Sequence, residues 1–217
     1  ADDSVNPGNL AGQTCYDLMG DQIVPVDLVG TDYIINRGQL NAQTGEAFFV
    51  VATENFTQVD IVGATSTSTL LNKGDTYVHN LNSDLTYARA NKNVYLLHAS
   101  GYGCELGEAL LPPLNCAGSD SVTFTRNNSD AFFLNVLCKA PAVNNFILTN
   151  STATTVLSAA AFSMIPATAT LQGGPFYGAQ FGPFATTVIP ANSSNLLINT
   201  AGTSGFFALG IFNGTQT

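Results

Sequence analysis

Four cysteines, two histidines and fifteen carboxylates are the side chains through which this 217-residue sequence could do chemistry. Cys104 and Cys116 share the stretch "HASGYGCELGEALLPPLNCAGSDSVTFTR" with His98. Structural zinc takes four Cys or His ligands, usually in close pairs two to four residues apart. Here eleven residues separate Cys104 from Cys116, and Cys15 and Cys138 stand alone, so a zinc site is not expected. A cysteine nucleophile needs a base, and only His79 and His98 could serve. Each lies in an apolar run that reads as a strand, "DTYVHNL" and "VYLLHAS". The expectation for both is a partly buried, hydrogen-bonded ring.

No phosphate-cradling glycine loop, Gly-x-Ser-x-Gly elbow or Ser-x-x-Lys occurs, and no carboxylate pair stands out as acid and base. "NLNSD" and "AGSDS" offer oxygens that calcium could use, yet lack dense Asp-x-Asp spacing, so they read as turns. The sequence therefore predicts no catalytic set, no cofactor and no metal. A disulfide accounts for the cysteine loop more simply. Bridging Cys104 to Cys116 contributes about 3 kcal/mol by chain entropy. Pro112 and Pro113 stiffen the same loop by fixing φ. Four cysteines allow three pairings, and the expected one is Cys104–Cys116 with Cys15–Cys138. An even cysteine count in a chain poor in Lys and Glu suits an oxidising, extracellular compartment.

A second unusual stretch is "GGPFYGAQFGPF", residues 173–184. Read as a loop, it offers Phe176, Tyr177, Phe181 and Phe184 either as anchors for a partner or as a cover over the end of the fold. Arg37 and Arg126 are expected to brace carboxylates or carbonyls near strand ends. Glycosylation sequons stand at Asn55, Asn127, Asn150, Asn192 and Asn213, close to the number chance gives in a chain this rich in Asn, Ser and Thr.

The elements that must position these residues are strands. Period-2 alternation and short apolar runs recur between Gly, Asn, Asp and Pro, while helical periodicity is nearly absent. Val24, Val26 and Leu28 share a face, as do Val59 and Ile61, and Val122 and Phe124. "AFFVVAT", "NVYLLHA", "AFFLNVL" and "GFFALGIF" are apolar on both faces, as strands within a two-layer stack would be. "LLNKGDTYV" reads as a hairpin turning at Lys73-Gly74-Asp75, and "ELGEALL" as a short helix. The expected fold is an all-β, two-layer antiparallel β-sandwich of jelly-roll type, a single domain over 1–217. A seam near 139–145 would divide it if "NFILTNSTATTV" repeats "AFFVVATENFTQV". Residues 1–13 read as an extended N-terminal segment.

Only 10% of residues are charged, and the net charge is −9. That balance repels phosphate backbones and anionic bilayers, so neither nucleic acid nor membrane is an expected partner. No apolar run reaches the length of a spanning helix.

"FFVVATENFTQVDI", "LLNKGDTYVHNL" and "GYGCELGEALLPPLNCAGSDSVTFTR", in that order, resemble the IgGFc-binding-protein N-terminal type of domain, and "GTSGFFALGIFNG" is similar to its late strands. The likeness spans roughly residues 40–215. It implies an extracellular β-rich module of the kind found in bacterial cell-surface adhesins and in the animal mucus protein that names the family. It brings no catalytic set and no residue matched to an antibody site.

Composition and resemblance together lead to a secreted structural or adhesive surface module, self-associating as a homo-oligomer or polymer. The alternative is a soluble module that binds glycans or host proteins within a larger adhesin. "GFFALGIF" near the C-terminus carries no Lys or Glu, and such an edge strand invites another chain unless something covers it.

Overall fold

The computed structural model describes residues 4–5, 17–18, 21–40, 45–103, 105–115, 118–171 and 174–214. The fold is all-β and almost wholly antiparallel, as the sequence pattern predicts. It differs in its division. The chain forms two compact units that part after residue 116, each with its own core, and not one sandwich. Residues 139–145, the expected seam, lie inside the second unit, where Ala140–Ala142 makes a 3-10 turn.

The first unit opens with β1 (Ser4–Val5) and β2 (Asp17–Leu18), a two-residue antiparallel ladder. Then come β3 (Gly30–Asn36), β4 (Gln39–Leu40), β5 (Ala47–Ala52), β6 (Thr57–Val62), β7 (Ser66–Leu71), β8 (Thr76–Asn80), β9 (Leu85–Gly103) and β10 (Glu105–Leu110). At 19 residues, β9 is the organiser. Its first half pairs with β3 and β6, and its second half with β5 and β10. Two arms thus share one strand, β3-β9-β6-β7 and β10-β9-β5-β8. The alternating inner residues of both arms meet in one cluster that includes Tyr33, Ile61 and Ala88 from the first and Phe48, Val50 and Leu96 from the second. Fully buried aliphatic and aromatic side chains of this kind contribute about 2–3 kcal/mol each.

Several local expectations are corrected here. "IVPVDLVG" is no strand: Pro25 starts a 3-10 turn over Val26–Leu28, and Val26 and Leu28 stay exposed. "ELGEALL" is strand β10 and not a helix, because pairing along β9 satisfies its backbone. Lys73-Gly74-Asp75 does turn the chain, with Gly74 at φ +86°, but β7 and β8 do not pair with each other. The turn carries the chain from one arm to the other. The supposed repeat also fails in register, since β5 pairs with β8 and β9 and never with β6.

The second unit is a two-sheet sandwich. Its strands are β11 (Ser121–Arg126), β12 (Ala131–Lys139), β13 (Phe146–Thr149), β14 (Thr154–Val156), β15 (Ser163–Met164), β16 (Phe176–Phe181), β17 (Ser193–Asn199) and β18 (Phe207–Gly214). They form the sheets β11-β17-β13-β14 and β15-β16-β12-β18. Alternation along β12 turns Phe132, Leu134, Val136 and Cys138 inward against Phe124, Phe146, Leu148 and Leu197 of the other sheet. Ring contacts close the sandwich: Phe124 stacks on Phe132 at 5.8 Å, and Phe146 meets Phe207 edge-on at 5.1 Å.

Candidate functional site

The histidines lead to the first unit's buried polar centre. Register places His79 and His98 on either side of Phe48, on the face of the sheet that looks into the core. His98 Nε2 lies 2.8 Å from Glu46 Oε1, which also accepts from the Ser100 hydroxyl at 2.6 Å and the Gly38 N–H at 2.6 Å. Glu46 is only 2% exposed, and its Oε2 has no partner. The expectation of a buried, hydrogen-bonded strand histidine holds for His98. His79 departs from it: its Nε2 is buried without a partner, and its ring lies 5.1 Å from that of Phe48. Burial lowers the His79 pKa, so the ring is held neutral.

Serine, histidine and glutamate are the residue types of a hydrolytic triad, but the wiring differs. A triad needs the serine hydroxyl bonded to the imidazole. Here serine and histidine both address the carboxylate, which acts as the hub. The arrangement ties the start of β5 to β9 and to the residues before it. Nothing local in the sequence announces Glu46, which stands 52 residues from His98. Only the pairing of β5 with β9 brings the two together.

The cysteine loop is held by backbone and packing. Leu111 N–H bonds to Leu96 O and Leu114 N–H to Asp32 O, both at 2.9 Å. Pro113 packs so closely on Gly30 that a Cβ there would sit 2.6 Å from its ring. Cys15, Cys104 and Cys116 lie outside the described residues. Both expected pairs, Cys104–Cys116 and Cys15–Cys138, therefore fall outside them; the Cys138 thiol has no disulfide partner among the described residues. The inward alternation of β12 puts that thiol in the sandwich core, where burial pushes its pKa up to about 12. A thiol so protonated is a poor nucleophile.

Residues 176–181 are strand β16 and not a loop. Phe176 is 6% exposed, and Tyr177, Phe181 and Phe184 pack against the second core. These rings cover the core and form no open aromatic platform.

Arg126 braces carbonyls, as expected. Although 1% exposed, it donates to the carbonyls of Phe184, Ile189, Ser129 and Asp130 at 2.5–3.1 Å, with its guanidinium 5.5 Å from the Phe132 ring centre. Asn55, Asn127, Asn192 and Asn213 are exposed. Asn150 is engaged: its Nδ2 donates to Val188 O and Asn195 Oδ1, while its Oδ1 accepts from Thr152 and Ala153. Its carboxamide is a turn brace.

Two surface features remain. Among the described residues, β18 is an edge strand, paired on one side with β12 and bridged on the other only by Ser119 at Phe207. Between β5 and β6, Phe56 is 69% exposed at φ +58°, a conformation uncommon for a bulky residue. The turn below it is firmly bonded, Lys92 Nζ donating to Asn55 O at 2.6 Å and Thr53 Oγ1 to Asn93 O at 2.5 Å. Among the described residues no group of three or more His, Cys, Asp or Glu could hold a metal ion. None of their helices is long and apolar enough to cross a membrane.

No curated protein and no solved structure matches the chain. The family described as IgGFc binding protein matches residues 5–189, reaching further toward the N-terminus than the quoted motifs and stopping short of β18. The description of that family is of a binding module. A match over most of the sequence settles the relationship: the chain belongs to the IgGFc binding protein family.

Proposed function

We propose that this chain is an extracellular structural or adhesive surface module that associates with further copies of itself. The supporting observation is β18, an eight-residue edge without a charged side chain. Natural edge strands are usually guarded by lysine, proline, bulges or a covering element. An extended segment added to such an edge gains a row of main-chain hydrogen bonds, and residues 1–13 of a neighbouring copy would supply one once Ser4–Val5 leaves its ladder with Asp17–Leu18. Sedimentation of the intact chain and of a chain lacking residues 1–13 tests the reading. The intact chain should show concentration-dependent growth in mass, and the truncated one should associate more weakly while keeping its thermal transition. A strict monomer at high micromolar concentration with the N-terminus intact would sink it.

A second reading, a soluble module for glycans or host proteins, is favoured by Phe56. An exposed aromatic held in a strained conformation on a rigid turn is pre-organised to enter a partner's pocket. Under this reading Phe56→Ala abolishes ligand capture and leaves sedimentation unchanged.

A further inference from the structure

We propose that the outward face of the β11-β17-β13-β14 sheet is a contact between two copies of this chain, packed sheet against sheet. The inference rests on the reading of the protein as self-associating, and it names a surface other than the β18 edge. Val156, Ile147 and Ile198 stand in register across β14, β13 and β17, with Leu196 on the next row. Alternation turns all four away from the sandwich core, and Val156 is 69% exposed. The remaining outward positions of the four strands are serine and threonine.

Charge selects the occupant. Each copy carries a net −9, so two copies repel unless contact is made where neither presents a carboxylate. This face has no ionisable group. The outward face of the β3-β9-β6-β7 arm, by contrast, sets Asp32, Arg89 and Asp60 in one cross-strand row. A two-fold axis lying in the interface brings the aliphatic row of one copy onto that of the other, a self-complementary arrangement. Inner faces packed this way sit about 10 Å apart. Strands of six, seven, four and three residues cover about 300 Å² per copy, well under half of the roughly 800 Å² that a standard interface buries on each partner. The contact is therefore weak by itself and acts in an array with other contacts.

The test is sedimentation of the full chain up to millimolar concentration, comparing wild type with Val156→Glu, Thr154→Glu and Leu70→Glu. All three add the same charge at exposed positions, and Leu70 lies on the other unit. Val156→Glu should weaken association at least ten-fold, and Leu70→Glu should leave it unchanged. Thr154→Glu gives the same reading if Val156→Glu lowers the thermal transition. Added salt should strengthen wild-type association, because it screens the repulsion and spares the apolar contact. Association of both sheet variants at wild-type strength overturns the face and leaves self-association standing, the more so if loss of residues 1–13 abolishes it. Weakening by salt also overturns the face, since it would mean ion pairs hold the copies. A monomeric wild type removes both proposals.

Discussion

In the first unit the buried acidic side chain is Glu46, and in the second the buried basic one is Arg126. Glu46 has three partners on one oxygen: the His98 ring, the Ser100 hydroxyl and the Gly38 N–H. Arg126 is met by four backbone carbonyls, which carry fixed dipoles and cannot titrate near neutrality. Both leave one atom unpaired, Glu46 Oε2 and Arg126 Nε. Burial lowers the Arg126 pKa, yet a guanidinium remains protonated in proteins. The first unit's polar centre therefore depends on two further side chains, His98 and Ser100, whereas the second unit's rests on backbone carbonyls. The lesson concerns function as well as stability. A carboxylate met on one oxygen by serine and histidine has the parts of a catalytic site, but its wiring is that of a brace, much as the arginine's is.

The largest effect should come from Arg126. Replacing it with Met leaves four carbonyls without their donor in a closed site, at a cost of about 4 kcal/mol. Lysine should recover only part of this, because one ammonium cannot follow the planar fork. Urea unfolding of the three proteins measures the difference. A loss below about 1 kcal/mol for Arg126→Met would mean that the carbonyls find water instead.

Next is Glu46. Glu46→Leu strands His98 Nε2, the Ser100 hydroxyl and the Gly38 N–H, and should cost about 3 kcal/mol. Glu46→Gln keeps an acceptor oxygen and should lose about half as much. Hydrophobic replacement of buried ion pairs sometimes stabilises a protein. If Glu46→Leu raised the urea midpoint, the hub would be a liability, and its likeness to the Arg126 brace would break.

The smallest effect is the pH dependence carried by His79. Its folded pKa lies below the ordinary 6.5, so under pH 6.5 the unfolded chain takes up a proton that the folded chain refuses. The resulting stability is complete above pH 6.5 and declines as the pH falls from there toward the folded pKa. His79→Phe removes this component while keeping an aromatic ring beside Phe48. Thermal melts from pH 7.5 to 5 should show wild type losing more stability than the variant. Parallel profiles would mean that the ring protonates in place.

Strand content was legible in the sequence because alternation is local. Val59 and Ile61, Val122 and Phe124, and the two-faced apolar runs of β5, β9, β12 and β18 all became strands. "ELGEALL" reads as a helix because a seven-residue stretch with Leu, Ala and Glu suits either state, and only its pairing with β9 decides. "IVPVDLVG" alternates correctly, but Pro25 starts a 3-10 turn that leaves Val26 and Leu28 in solvent. The aromatic stretch at 173–184 looked like a loop because its glycines and prolines are turn signals; its centre is a strand beside β12.

The sequence by itself determined the class of fold and the net charge of −9. It also carried the family, because the motifs that define it are contiguous segments. Tertiary structure alone decided which carboxylate meets His98, that the Cys138 side chain is buried in the second core, and that β18 lies at an edge. The reason is one of range. Alternation, turn chemistry and composition act over a few residues, whereas partners such as Glu46 and His98 meet through strand register, which sums many weak pairings along the chain.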